Sequence, residues 1–229
     1  MKVQNSLVIF LLFATLVCRS QGNTIVGTFQ DSSCKEKVLF LYKYNSPFSE
    51  ELIDKQKSIN GVITFRRSDT EMNTYLLRDG KSKGALLFIW DDDITIDLNC
   101  ENIYESLVFN SPETNELNKI EKQKYNLYIV PIIKLDSLLS QCQKQNQFSK
   151  DNSCKTLIIE RNTLETENKK LFNEFTKTYI KRNPDSFVSL YYLTYSGSEV
   201  SLETKDIELF EFLSERLKKH SRAKIYQQY

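Results

Sequence analysis

The chain has 229 residues and a formal net charge of +1, and 40% of its residues are hydrophobic and 12% aromatic. This composition is typical of a folded globular protein and excludes a largely disordered chain. Because positive and negative charges nearly balance, nucleic acid and charged membrane surfaces are not expected as main partners. The length allows one large domain or two small ones, each with a real core.

The first 22 residues have the pattern of a secretory signal peptide. Met1 and Lys2 provide a positive start, Leu7 to Val17 is an apolar run, and small residues permit cleavage after Ser20 or Gly22. The run is too short to span a hydrocarbon core of about 30 Å as a stable anchor, and no later stretch is apolar enough. We therefore expect a mature chain without a transmembrane segment, located in the endoplasmic reticulum lumen or secreted.

Four cysteines remain after the signal peptide is removed: Cys34, Cys100, Cys142 and Cys154. An even number of cysteines in an oxidising compartment indicates two disulfides, for which three pairings are possible. The short gap favours a bond between Cys142 and Cys154, which leaves Cys34 to pair with Cys100. Closing such a short loop stabilises the fold by about 3 kcal/mol.

Residues 23–109 alternate between predicted strands and helices. An apolar or alternating pattern predicts strands over residues 37–44, 62–66, 85–90 and 94–98, the last at a sheet edge. Helical spacing predicts a helix after Ser49, which is a good N-cap, through residue 59, and a shorter one over residues 69–78. This order indicates an α/β layered sheet.

The second half repeats this order approximately. The polar residues 110–125 are interpreted as a linker. Beyond them we predict a second unit over residues 126–220, with strands at 126–133, 156–160 and 186–195, and helices at 135–142, 162–182 and 204–217. Residues 221–229 are interpreted as a C-terminal tail. The sequence therefore predicts two tandem units, of which the second is the shorter.

Both units resemble the thioredoxin fold. Val38 to Tyr42 is similar to its central strand, and the segment from Ser49 onward is similar to its first long helix. Residues 132–193 resemble a non-catalytic thioredoxin-like domain of protein disulfide isomerase relatives. The features that carry this second resemblance are a helix over Leu138–Cys142, a strand after Cys154, a long helix over Leu164–Arg182 and an aromatic strand over Phe187–Leu193.

The dithiol machinery of that family is absent from the sequence. Redox-active members have C-x-x-C where the first strand meets the first helix, and a low-pKa thiolate there attacks disulfides. They also have a proline before the next central strand, whereas Lys83-Gly84-Ala85 precedes Leu86 here. The resemblance therefore implies binding without exchange chemistry. At the degenerate active-site position this chain has Asn45, Ser46, Pro47 and Phe48.

No other residue pattern predicts catalysis, a metal site or a cofactor. His220 is the only histidine and is expected on the surface, which argues against nucleophilic triads and zinc sites. Asp91, Asp92 and Asp93 are interpreted as a polar turn rather than a calcium site. The aromatic residues of 187–195 are expected to be buried. A basic helix end, interpreted as dipole-stabilising, contains Lys218, Lys219, His220, Arg222 and Lys224.

The leading hypothesis is a redox-inactive thioredoxin-like protein of the secretory pathway that binds other proteins, as a chaperone-like or adaptor factor. One alternative is a thiol–disulfide oxidoreductase that uses Cys142 and Cys154. The other is a secreted ligand or effector with an unrelated α/β fold.

Overall fold

The computed structural model describes residues 24–46, 49–68, 70–80, 84–145, 153–195 and 204–227. The predicted signal peptide lies outside the described residues. The strands are β1 Thr24–Phe29, β2 Val38–Ser46, β3 Ser49–Lys57, β4 Val62–Arg66, β5 Asn73–Asp79, β6 Leu86–Trp90, β7 Ile94–Leu98 and β8 Leu107–Phe109. The helices are α1 Pro112–Lys124, α2 Val130–Gln145, α3 Ser153–Arg182, α4 Phe187–Tyr195, α5 Thr204–Glu211 and α6 Glu215–Lys218. A π-helix, Tyr125–Ile129, joins α1 to α2, and 3₁₀ turns form at Ser32–Cys34, Ile103–Glu105 and Ser221–Ile225.

The strands form two four-stranded sheets. The outer sheet has the order β4-β1-β7-β8, and the central sheet has the order β3-β2-β5-β6. The β1–β7 pair is parallel, and the other neighbouring pairs are antiparallel. The chain is therefore α/β in content, as predicted, but the described strands all precede the long helices.

The first core lies between the two sheets, and strand alternation explains it. On β6, Phe88 and Trp90 belong to this core, whereas Ile89 belongs to a second core on the opposite face. Successive side chains of a strand point to opposite faces, so β6 must be covered on both sides. The first core also contains Ile25, Leu39, Leu41, Ile63, Phe65, Tyr75, Leu77, Ile94, Ile96 and Leu98.

The helices form a third layer against the free face of the central sheet. Leu117 and Ile120 of α1 and the buried α4 pack there together with Ile89 and Leu217. The aromatic segment of α4 is buried over Phe187–Thr194, so the predicted burial of this segment is confirmed. No helix among the described ranges has the length and apolar content needed to cross a membrane.

The start of α1 seals the edge of the central sheet. The Thr114 hydroxyl accepts a hydrogen bond from the Ile89 N–H (2.9 Å) and lies 3.0 Å from the Ile89 carbonyl, to which it donates. Ser111 is the N-cap of α1 and accepts from the Thr114 N–H (3.1 Å). Glu113 accepts from the N–H groups of Phe187 (3.1 Å) and Val188 (3.3 Å) at the start of α4. Ser111, Glu113 and Thr114 thus tie the edge of β6 to α1 and α4.

Several predictions for the first half are correct and three are wrong. The strands predicted over residues 37–44, 62–66, 85–90 and 94–98 are confirmed. However, β7 lies between β1 and β8 and is not an edge strand. The segments predicted as helices form β3 and β5, because each pairs antiparallel with β2. Pairing within a sheet has overridden the helical preference of the charged sequence after Ser49.

In the second half, the predicted strands are wrong. Residues 126–133, 156–160 and 186–195 are helical, and no described residue beyond Phe109 lies in a strand. The predicted linker is α1, whose Thr114, Leu117 and Ile120 are buried. The predicted tail begins with a 3₁₀ turn and has Ala223 and Tyr226 buried. The elements on which the resemblance to tandem thioredoxin units rested therefore differ from those expected.

We expect both faces of β6 to be stabilising. Phe88→Ala should lower the free energy of unfolding by about 3–5 kcal/mol, and Ile89→Ala by about 2–5 kcal/mol, because each leaves a cavity in a different core. Thr95→Val, on the exposed face of β7, is the control and should change the free energy of unfolding by less than about 0.5 kcal/mol. Denaturant unfolding followed by circular dichroism measures all three. A neutral Ile89→Ala result would contradict the packing of the helices on this sheet.

Candidate interaction surface on the helical hairpin

The four cysteines that follow the signal peptide form two disulfides, with the predicted pairing. Cys34 joins Cys100 beside the sandwich core, with Cα atoms 6.0 Å apart. Cys142 joins Cys154 with Cα atoms 5.9 Å apart. The second bond connects two helices, α2 and α3, rather than a helix and a strand. Cys142 and Cys154 are only partly buried.

The degenerate active-site position does not precede a helix. Asn45 and Ser46 end β2, and Ser49 begins β3, its antiparallel partner. Pro47 and Phe48 lie outside the described residues. A thiolate at that position would therefore lack the helix N-terminus that lowers a cysteine pKa in dithiol enzymes.

His220 is buried, and the prediction that it lies on the surface is wrong. Only 8% of the residue is exposed. Its Nε2 lies 2.6 Å from the Met72 carbonyl, and its Nδ1 accepts a hydrogen bond from the Arg222 N–H (3.0 Å). The nearby Ser221 hydroxyl donates to Glu71 and not to the imidazole. Because both ring nitrogens are engaged, the imidazole cannot activate a nucleophile in this arrangement.

The Asp91–Asp93 turn is polar, as predicted. The Asp91 carboxylate accepts hydrogen bonds from the N–H groups of Asp92 (3.1 Å) and Glu113 (3.2 Å), and Asp92 accepts one from the Asp93 N–H (2.8 Å). The carboxylates therefore serve the backbone individually rather than converging on one point. Within the described ranges, no cluster of three or more His, Cys, Asp or Glu side chains could hold a metal ion.

The predicted basic helix end is divided between surface and interior. Lys218 pairs with Glu211 (3.1 Å) and Glu215 (3.5 Å) at the surface. Arg222 instead reaches inward and donates to the Tyr44 carbonyl (2.9 Å), while burial lowers its pKa to about 10. The arginine remains charged at neutral pH but is not displayed to solvent as part of a basic patch.

The described residues include a helical hairpin, which we define as the π-helix, α2 and α3 (residues 125–145 and 153–182). An α3 of 30 residues is about 45 Å long. Asp136 and Arg161 form an ion pair between the two helices (2.8 Å). Near the body, the Lys124 ammonium lies 4.5 Å from the centre of the Phe172 ring.

A proline accounts for the π-helical segment at the base of the hairpin. Pro131 has no N–H and would clash with the carbonyl four residues earlier in a regular helix, and the π-helix over Tyr125–Ile129 directly precedes it. The buried Asn168 of α3 donates to the Tyr128 carbonyl in this turn (2.7 Å). This hydrogen bond fixes the register of α3 against the π-helix.

The hairpin exposes apolar side chains that a packed helix pair would normally cover. Between residues 130 and 144, and between 154 and 167, no described side chain is buried. Leu138 is 49% exposed and Ile159 is 66% exposed. Exposed apolar surface that is held in a fixed shape is typical of a protein-interaction site. The other large exposed apolar residues of the hairpin are Tyr125, Leu127, Ile129, Ile133, Ile158 and Leu171.

A second, polar feature lies at the open side of the two sheets. A shallow groove of about 330 Å³ is lined by Asp54 and Gln56 of β3 and by Thr64 and Arg66 of β4. Apolar lining and convergent polar groups are typical of small-molecule sites. This groove has no apolar lining residue, so the hairpin is the stronger candidate.

No protein-family model matches the chain, and no curated protein sequence matches it either. The assignment of a function therefore depends on the geometry described above.

The sequence pattern alone does not predict the exposed apolar surface of the hairpin. The sequence predicts helices over residues 135–142 and 162–182, and both segments are helical. The apolar runs around Ile133 and Ile159 instead predict strands over residues 126–133 and 156–160, because a short apolar run does not distinguish a strand from a helix.

We expect the hydrogen bond at the base of the hairpin to stabilise it. Asn168→Ala should lower the free energy of unfolding by about 1 kcal/mol, because the Tyr128 carbonyl loses its side-chain donor. Asn173→Ala, at an exposed position of the same helix, is the matched control and should be neutral or slightly stabilising, since alanine is the better helix former. Equal free energies of unfolding for the two variants, measured by thermal denaturation, would contradict a stabilising role for the Asn168 hydrogen bond.

Proposed function

We propose that this chain is a redox-inactive, non-catalytic protein of the secretory pathway that binds other proteins, in a chaperone-like or adaptor role. The observation that supports the proposal is the helical hairpin, in which leucine and isoleucine side chains remain exposed on two helices joined by a disulfide. An apolar surface without converging polar groups favours contact with apolar segments of a partner protein over binding of a small polar ligand.

The energy available from this surface is sufficient for binding. Leu127 is 54% exposed and Ile159 is 66% exposed. At about 25 cal/mol per Å², covering such a half-exposed side chain contributes on the order of 1–2 kcal/mol. Several such contacts support micromolar affinity, which corresponds to about 8 kcal/mol, once the cost of association is included.

The location follows from the signal-peptide pattern and is supported by the disulfides. Cys34–Cys100 and Cys142–Cys154 are both bonded, and disulfides persist in oxidising compartments. The proposal covers both the lumen of the endoplasmic reticulum and the extracellular space. The thioredoxin resemblance gives the proposal no support, because the residues that carried it form elements other than those expected.

An apolar triple variant tests the binding surface. Leu127→Ser, Leu138→Ser and Ile159→Ser are combined and compared with a polar triple variant at exposed positions of the same helices, Gln141→Ser, Thr163→Ser and Asn173→Ser. The mature protein is added to a chemically unfolded model protein, and aggregation is followed by light scattering. We expect wild type and the polar variant to suppress aggregation, and the apolar variant to need at least about tenfold more protein, which corresponds to about 1.4 kcal/mol.

Equal suppression by the two triple variants, with helix content unchanged by circular dichroism, would contradict the proposal. An insulin-reduction assay distinguishes the oxidoreductase alternative, for which turnover by wild type should be lost in Cys142→Ser. The third alternative, a secreted ligand or effector, predicts export of the chain to the medium without any suppression of aggregation.

A further inference from the structure

The C-terminal residues 220–226 dock on the central sheet through polar contacts as well as apolar ones. The Tyr226 hydroxyl donates to the Leu193 carbonyl (2.8 Å). The Arg222 guanidinium donates to the Tyr44 carbonyl (2.9 Å) and to the Thr194 hydroxyl (2.6 Å). The guanidinium also lies over the Tyr191 ring, 5.4 Å from its centre. This segment therefore covers an aromatic region between β2 and α4.

A carboxylate holds the start of this segment. Glu71, in the turn before β5, accepts hydrogen bonds from the Ser221 N–H (2.7 Å) and from the Ser221 hydroxyl (2.5 Å). Burial alone would raise the pKa of the Glu71 carboxyl, but the hydrogen bonds that Ser221 donates keep it below its ordinary value. Protonation of Glu71 would remove an acceptor, so the contact is strongest when Glu71 is ionised.

The adjacent His220 fits its site only as one neutral tautomer. Nδ1 must be unprotonated to accept from the Arg222 N–H (3.0 Å), and Nε2 must carry the proton because it faces the Met72 carbonyl (2.6 Å). Protonation of Nδ1 would place two donors against each other. Burial lowers the pKa of the His220 imidazole.

Some charged groups around His220 favour protonation of its ring, and others oppose it. Glu71, 3.6 Å from Nε2, attracts a protonated ring, whereas the positive charges of Arg222 and Lys43 oppose it. The edge of the Phe187 ring, with centroids 5.2 Å apart, excludes water. Burial and the opposing cations outweigh Glu71, so the docked segment favours the neutral imidazole.

We propose that Glu71 and His220 form an acid-sensitive latch that holds residues 220–226 on the central sheet while His220 is neutral and Glu71 is ionised, and that protonation of either group weakens the latch. Both groups bind protons more weakly when the segment is docked than when it is free. Docking is therefore fully stabilised at neutral pH and weakens as the pH falls, first below about 6.5 through His220 and then below about 4.5 through Glu71. Release would uncover the Tyr191 ring and the Tyr44 carbonyl. The latch does not depend on the proposed function of the hairpin.

Hydrogen exchange measured by mass spectrometry on the mature, disulfide-bonded chain tests the latch. Exchange is followed from pH 7.5 to 5.0 and corrected for the intrinsic exchange rate. We expect protection of peptides covering residues 218–227 to fall by up to about tenfold per pH unit below about 6.5. Peptides covering β5 and β6 should keep their protection over the same range. Unchanged protection of residues 218–227, or a parallel loss in β5 and β6, would overturn the proposal.

Two variants separate the contributions of the latch residues. His220→Gln keeps a donor for the Met72 carbonyl but removes the titrating ring, so protection between pH 6.5 and 5.0 should no longer change with pH. Glu71→Gln should weaken protection of residues 218–227 already at pH 7.5, and it remains informative where His220→Gln disturbs folding. Glu208→Gln, at an exposed position of α5, is the control and should behave as wild type. Wild-type pH dependence in His220→Gln, or wild-type protection in Glu71→Gln, would overturn the proposal.

Discussion

The contact between α1 and the edge of β6 is the constraint on which the three layers depend. The Ile89 N–H and carbonyl lie at the edge of the central sheet, where an unpaired backbone would attract further strands. Thr114 and Ser111 satisfy these groups, and the neighbouring Glu113 accepts from the first N–H groups of α4. One helix start therefore closes the sheet and fixes the direction in which the helices leave it. Both the burial of α4 and the position of the hairpin follow from that direction.

The central sheet could be predicted from the sequence better than the rest of the fold. Apolar runs such as Leu86–Trp90 are strands because a sheet covered on both faces needs apolar side chains at successive positions. The helix predicted after Ser49 is wrong because this segment lacks such an apolar pattern. Its residues are nearly all exposed in β3, so no alternation marks it as a strand, and its acidic start favours a helix locally. Only the pairing with β2, a nonlocal interaction, decides its conformation.

In the second half, the sequence contains a helix-start pattern inside the segment that was interpreted as a linker. Ser111-Pro112-Glu113 has an N-cap residue, a proline at the first helical position and an acid in the first turn, which together predict a helix start. The surrounding charges suggested a linker instead. Phe187–Tyr195 is rich in aromatic residues, which favour strands, but it is an α-helix that is buried between other helices and the central sheet. Its apolar residues therefore show no single-face periodicity.

The candidate site could not be predicted because sequence does not distinguish a buried leucine from an exposed one. Leu135 and Leu138 lie in the same helix, but Leu138 is 49% exposed whereas Leu135 is partly buried. The difference arises because α2 packs against α3 with part of its surface and leaves other described positions, such as Leu138, exposed. The Cys142–Cys154 disulfide joins the two helices near the end of α2 and the start of α3. A protein that keeps an apolar surface exposed needs such a cross-link, since the surface itself contributes nothing to folding until a partner covers it.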